Sequence, residues 1–160
     1  MISLKINKHN RKLFSILTKD FIENSKKEMI IQVDKDNKEI GPISKYESHT
    51  SETINKGILH RAFSLFIFDK NQNLLLQKRS KHKVTFPNLW SNSVCSHPLF
   101  NDIERTVTDF YGVRRAAQRR MKFELGFGHE EIDDFKCIDS YLYQALDGKN
   151  WGEYECNVKR

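Results

Sequence analysis

The stretch RAFSLFIFDKNQNLLLQKRS, from Arg61 to Ser80, constrains the fold more than any other segment of the 160-residue chain. Two apolar runs flank the polar pentapeptide DKNQN, a pattern that predicts a hairpin or tight meander. The runs are nearly continuous rather than alternating, which predicts a sheet buried on both faces. A sheet of that kind needs covering layers, and the rest of the chain supplies candidates. RKLFSILTKDFIENS (Arg11–Ser25) places Leu13, Phe14, Leu17 and Phe21 at helical spacing. YGVRRAAQRRMKFELGF (Tyr111–Phe127) reads as a helix ending at Gly126. MIIQVDKDNKEIG (Met29–Gly41) reads as strand, polar turn and short strand, and Phe135–Glu155 as two strands joined around DGKN. Strand pairs mixed with helices give the α+β class, with helices packed on a central sheet.

Charged residues make up 30% and the hydrophobic set 38%, so the chain reads as one soluble globular domain, residues 1–160, with residues 1–28 as a helical extension. No apolar run approaches a membrane span, and the basic first residues lack a signal-peptide apolar region. Three cysteines (Cys95, Cys137, Cys156) without regular spacing argue against a disulfide framework and for a reducing compartment, the cytoplasm or a peroxisome. The formal net charge of +6 fits either a solvated lysine-rich surface or an anionic ligand, nucleic acid or a small phosphorylated molecule. The aromatic-plus-basic strand motifs of RNA-binding modules are absent.

On the Tyr111–Phe127 helix, Val113, Ala116, Ala117, Met121 and Phe123 define one apolar face, and Arg120 and Glu124 fall inside that arc. Four residues apart, they form either an ion pair at the margin of the stripe or a guanidinium and a carboxylate lining a pocket. In the second case they would hold a phosphate and a metal respectively. His9, His82 and His129 sit in polar segments and read as exposed. His49 follows KYES, His60 starts the buried hairpin and His97 follows Cys95. Glu153 and Glu155 share one face of a strand because the strand period is two. Three histidines and two carboxylates could close a site for Zn, Mn or Mg. Cys95 and His97, two apart in SNSVCSHP, admit three readings: a metal clip, a nucleophile with its base, or a buried thiol beside a turn histidine. Distinct roles for the two would require a small turn between them.

The segment RRMKFELGF resembles a Nudix box. Arg119, Met121, Glu124, Gly126 and Phe127 match that motif, while Arg120 and Phe123 stand where it has glutamates. Five further segments, GILHRAFSLFIFD, LLLQKRS, TFPNLWSNSVCSHPL, GVRRAAQRRMKFELG and WGEYE, resemble type I isopentenyl diphosphate isomerase in order and spacing from about Ile30 to Glu155. The resemblance implies a Nudix-like mixed central sheet sandwiched by helices. It also implies a chain that is C-terminally truncated, because in that family the sheet and helices continue past the GEYE position. The implied activity is interconversion of isopentenyl diphosphate and dimethylallyl diphosphate through a carbocation, in isoprenoid biosynthesis. The alternatives are a Nudix-like pyrophosphohydrolase and a catalytically inactive diphosphate-binding variant.

By the same resemblance, His49, His60, His97, Glu153 and Glu155 match ligands of a tightly held divalent metal (Mg²⁺, with Mn²⁺ or Zn²⁺ as options at the histidines). Glu124 matches the ligand of a substrate-associated Mg²⁺. Lys45, Arg79, Lys83 and Arg120 match diphosphate-binding positions. Cys95 and Glu155 match the acid/base pair, with Tyr143 assisting. Phe86, Trp90 and Tyr143 are local candidates to face a cation, with Trp151 nearer the metal strand. The partner implied is a small-molecule diphosphate, with no nucleic acid or membrane, and the expected state is a monomer.

Overall fold

The computed structural model describes residues 20, 22–126, 135–148 and 150–159. Most of the helix expected over Arg11–Ser25, as well as His9, Phe127 and His129, lies outside the described residues; residues 22–27 are helical.

Strand β1 (Met29–Val33) and strand β2 (Glu39–Ser44) pair antiparallel around the polar turn, as the alternation of apolar and turn residues predicts. Asp34 closes that turn, its Oδ1 accepting from the N–H groups of Asp36 and Lys38. Two short helices follow. Helix α1 (Lys45–Ser48) is capped by Ser44, and helix α2 (Ser51–Asn55) by Thr50, each hydroxyl accepting an N–H of the first turn.

Strand β3 (Leu59–Leu65) is buried at every position. It is the centre of the sheet, whose order is β2-β1-β3-β8-β7, with β6 (Val94–Ser96) also on β3. Strand β7 (Asp139–Asp147) runs antiparallel to β8 (Trp151–Lys159), and β8 runs parallel to β3, so the sheet is mixed. The first apolar run thus behaves as expected.

The second apolar run does not. Leu74, Leu75 and Leu76 are each more than a third exposed. The DKNQN turn does reverse the chain, and Phe68 bridges Leu74. Beyond it, however, Leu75 takes its bonds from Ile67 O and Ser93 Oγ instead of a ladder. Only the two-residue strand β4 (Gln77–Lys78) pairs afterwards, with β5 (Trp90–Ser91), in a separate small sheet.

Helix α3 (Tyr111–Leu125) ends at Gly126, whose φ of 76° is the left-handed cap that glycine adopts without strain. Its Val113, Ala116, Ala117 and Met121 pack on Phe63, Leu65 and Val94. Phe123 departs from the expected apolar face: it is 78% exposed, with the Arg120 guanidinium over its ring. A second apolar cluster joins Ile31, Val33, Leu59 and Cys156. His82, expected in an exposed segment, is half-buried. No turn separates Cys95 from His97, because the chain between them is still extended β6. All three cysteines are free thiols. Among the described residues no helix is long and apolar enough to cross a membrane.

Candidate active site

Strand alternation sorts β3 into two sides. Phe63 and Leu65 go to the apolar core with α3, while His60 and Ser64 take the opposite parity. On β6 the same rule places Cys95 with His97, and on β8 it places Glu153 with Glu155. Register then does the rest. His60 pairs with Glu155 across the parallel ladder, and Ser64 pairs with Cys95 across the antiparallel one. His49 arrives from the end of α1, fixed because its carbonyl accepts from Gly152 N–H at 3.0 Å. A bridge between Thr50 and Trp151 ties the same corner to β8.

The result is a buried group of His49, His60, His97 and Glu155 whose ligand atoms lie within 4.8 Å of one another. Glu155 Oε1 is 3.0 Å from His97 Nε2, 3.3 Å from His60 Nε2 and 3.9 Å from His49 Nε2. The donor set fits a divalent cation. His49 Nδ1 lies 2.7 Å from Lys45 O, and a carbonyl only accepts, so Nδ1 carries the proton. Nε2 then turns a lone pair toward a carboxylate oxygen, an arrangement that a cation between them makes favourable. Burial pushes the His97 pKa down to about 4 and that of His49 well below its ordinary value, keeping both imidazoles neutral as ligands must be. Burial would raise Glu155, but its bonds to His60 and His97 outweigh that and hold it well below the usual carboxylate range. Glu153, two residues earlier, stands outside the four-membered group. Its Oε1 accepts from Thr85 Oγ1 at 3.3 Å, and burial with the neighbouring Glu155 charge pushes its pKa up to about 7.

This group forms one wall of a cavity of about 450 Å³. Lys45, Arg79, Lys83 and Arg120 all line it, as do Cys95, Glu153 and Glu155, so residues from five segments converge there. Burial lowers the pKa of Lys45, and the ion pair with Glu28 at 2.5 Å partly restores it. Lys83 is lowered by burial too, with Glu124 opposing the shift. Glu124 faces these cations: its Oε1 takes Arg120 and lies 3.7 Å from Lys83 Nζ, and its Oε2 accepts from Gln77. Burial would raise its pKa, but Lys83 and Arg120 lower it overall. Phe86, Leu89, Trp90, Tyr141, Tyr143 and Trp151 supply the apolar lining.

Burial raises the Cys95 thiol pKa, with hydrogen bonds to the Ser91 and Ser64 hydroxyls opposing it. Asn92 escaped the reading of the sequence. Its Nδ2 donates to Leu65 O and Val94 O at 2.9 and 3.0 Å, which fixes the amide and aims Oδ1 at the thiol, 2.6 Å away. Only the asparagine-serine run around SNSVC offered a signal for it. Glu28, the counter-ion of Lys45, sits 17 positions away and left none. Arg119, the arginine of the Nudix-like box, points away from the cavity chemistry. It donates twice to buried Glu104 and once to His97 O, tying α3 to the segment that carries His97.

No protein-family model matches the chain. Among curated proteins it is similar to Isopentenyl-diphosphate Delta-isomerase 1 of Mesocricetus auratus, at 47% identity over 130 residues that cover 80% of this chain and 57% of that protein. Isopentenyl-diphosphate delta-isomerase 2 of Homo sapiens is 45% identical, with the same two coverages. Isopentenyl-diphosphate Delta-isomerase II, chloroplastic, of Arabidopsis thaliana is 45% identical over 78% of this chain and 45% of its own length. The chain spans about half the length of the curated relatives it matches.

Proposed function

The chain belongs to the type I isopentenyl-diphosphate isomerase family, and from that premise we propose that its cavity interconverts isopentenyl diphosphate and dimethylallyl diphosphate. The observation that carries the proposal is a half-buried thiol and a buried carboxylate with opposite protonation preferences lining one cationic and aromatic cavity.

The reaction needs two proton-transfer groups and no redox chemistry. A proton adds to the terminal methylene carbon and leaves a tertiary cation. The neighbouring carbon then loses a proton, and its electron pair forms the new double bond. Cys95, whose thiol burial keeps protonated, is suited to donate. Glu155, held ionised, is suited to accept. Tyr143 lines the same cavity, which supports an assisting role beside Glu155. The aromatic rings of Phe86, Trp90, Tyr143 and Trp151 offer negative faces to a cation and limit capture by water. Lys45, Lys83 and Arg120 neutralise the diphosphate, and Arg79 adds charge behind the loop that follows it. Fixing the anion fixes where the five-carbon end lies.

His49, His60, His97 and Glu155, with Glu153 at the rim, would hold a divalent cation (Mg²⁺, Mn²⁺ or Zn²⁺). When bound it supplies a fixed positive charge that orients Glu155.

Incubating the chain with isopentenyl diphosphate and Mg²⁺ tests the proposal. Formation of dimethylallyl diphosphate is the expected result. Release of inorganic phosphate would replace the reading with a Nudix-like hydrolase, and binding without product would replace it with an inactive diphosphate-binding variant.

A further inference from the structure

Phe86 has a φ of 48° and Asn88 a φ of 63°. The left-handed region is uncommon for an aromatic residue and persists only where the surroundings over-determine it. Here they do, from both sides of one residue. The Phe86 N–H donates to Asp147 Oδ2 at the end of β7. The Phe86 carbonyl accepts from Arg79 Nε at 3.1 Å. Arg79 Nη2 also donates to Thr85 O at 2.9 Å and to Thr85 Oγ1 at 3.2 Å, and that hydroxyl donates to Glu153. The Arg79 backbone closes the same loop, its N–H donating to Leu89 O and its carbonyl accepting from Asn88 N–H. An anion from β7 and a cation from the segment after β4 thus grip the two polar groups of Phe86. The Phe86 side chain lines the cavity beside Leu89 and Trp90. This loop engages Nε and Nη2 of Arg79.

We propose that Asp147 is a positioning residue that clamps Phe86 as a wall of the cavity and sets affinity for the hydrocarbon part of the ligand rather than for its diphosphate. The identity of the ligand rests on the proposed function.

The test compares dissociation constants for isopentenyl diphosphate and inorganic pyrophosphate, both with Mg²⁺, by calorimetry. Asp147→Ala should weaken isopentenyl diphosphate on the order of tenfold while pyrophosphate stays within about twofold. Asp147→Asn keeps a carbonyl oxygen at the same place and should return isopentenyl diphosphate to within about threefold of wild type. Equal weakening of both ligands, or of neither, overturns the proposal. Phe86→Gly suits the positive φ and removes the ring. It should fold as well as wild type and lose isopentenyl diphosphate selectively, and it decides the matter if Asp147→Ala does not fold. If wild type binds neither ligand, the proposed function fails, and hydrogen exchange at the Phe86 amide judges the clamp alone. Protection that is lost in Asp147→Ala upholds it, and free exchange in wild type overturns it.

Discussion

Gly152 sits in β8 between Trp151 and Glu153, and its N–H holds the carbonyl of His49, a member of the candidate metal group. A Cβ at this position would lie 2.5 Å from Ala145 O, 3.0 Å from Ile54 Cδ1 and 3.1 Å from Leu146 Cα. Two of those three atoms are backbone of β7, which pairs with β8 along its whole length and has little room to retreat. Overpacking of this kind costs about 1–3 kcal/mol. Only about 0.5–1 kcal/mol is returned by the lower chain entropy of alanine. Gly152→Ala should therefore destabilise the fold, and it should also shift Glu155 relative to His49 and weaken metal binding by about 10–100-fold. Gly41 provides the control: it also lies in a paired strand, and a Cβ there meets nothing within 4 Å. Urea denaturation and a Co²⁺ or Zn²⁺ titration on both variants measure the two effects. If Gly152→Ala matched Gly41→Ala in both midpoint and affinity, the reasoning that β8 is wedged against β7 and α2 would be wrong.

Cys95→Ala and Glu155→Gln should each abolish formation of dimethylallyl diphosphate while leaving a cooperative thermal transition; near wild-type turnover in either would remove it from the acid/base pair. Metal analysis should find about one tightly held divalent ion per chain, and His60→Ala should lose it, together with the thermal stabilisation that the ion confers. Glu104→Gln removes the charge that pairs with Arg119 and should cost about 2–3 kcal/mol, at the low end for a broken buried pair because the Arg119 side chain is 32% exposed. In metal-free protein, His97 has a folded pKa of about 4 against an unfolded value near 6.5. Between those values the unfolded chain binds the extra proton, so stability should fall as pH drops through that window, by up to about 3 kcal/mol. A midpoint unchanged from pH 7 to pH 4 would show that His97 is not buried as a neutral ring.

The β-rich core was readable because the apolar run that begins in strand β3 is nearly continuous, and a strand buried on both faces demands neighbours on both sides. The same rule failed for Leu74–Leu76. Apolar composition does not reveal that Ser93 Oγ and Ile67 O, from loops, would satisfy that backbone and leave the side chains in water. Phe123 failed in a similar way, since helical periodicity places it on an arc whose margin turns out to face solvent beneath Arg120. The site divides along another line. Glu153 and Glu155 were paired by strand period alone, whereas His49, His60 and His97 have no local spacing. They came together only through the resemblance and, in three dimensions, through the register of β3 with β6 and β8. Asn92 and Glu28 act through hydrogen-bond geometry that no spacing encodes.

The parallel pairing of β3 with β8 also sets an order of events. His60 and Glu155 are 95 positions apart in the chain. During synthesis the central strand emerges with one flank unpaired and waits until β8 has been made. Joining the ends of such a loop costs about 4 kcal/mol of chain entropy beyond a constant term. An ion that grips both ends would withhold that entropy from partly opened states, much as a covalent cross-link does. Ribosome-bound chains that stop short of Glu155 should thus be unable to load metal, and their open flank of β3 is the place where a chaperone or a second nascent chain would attach.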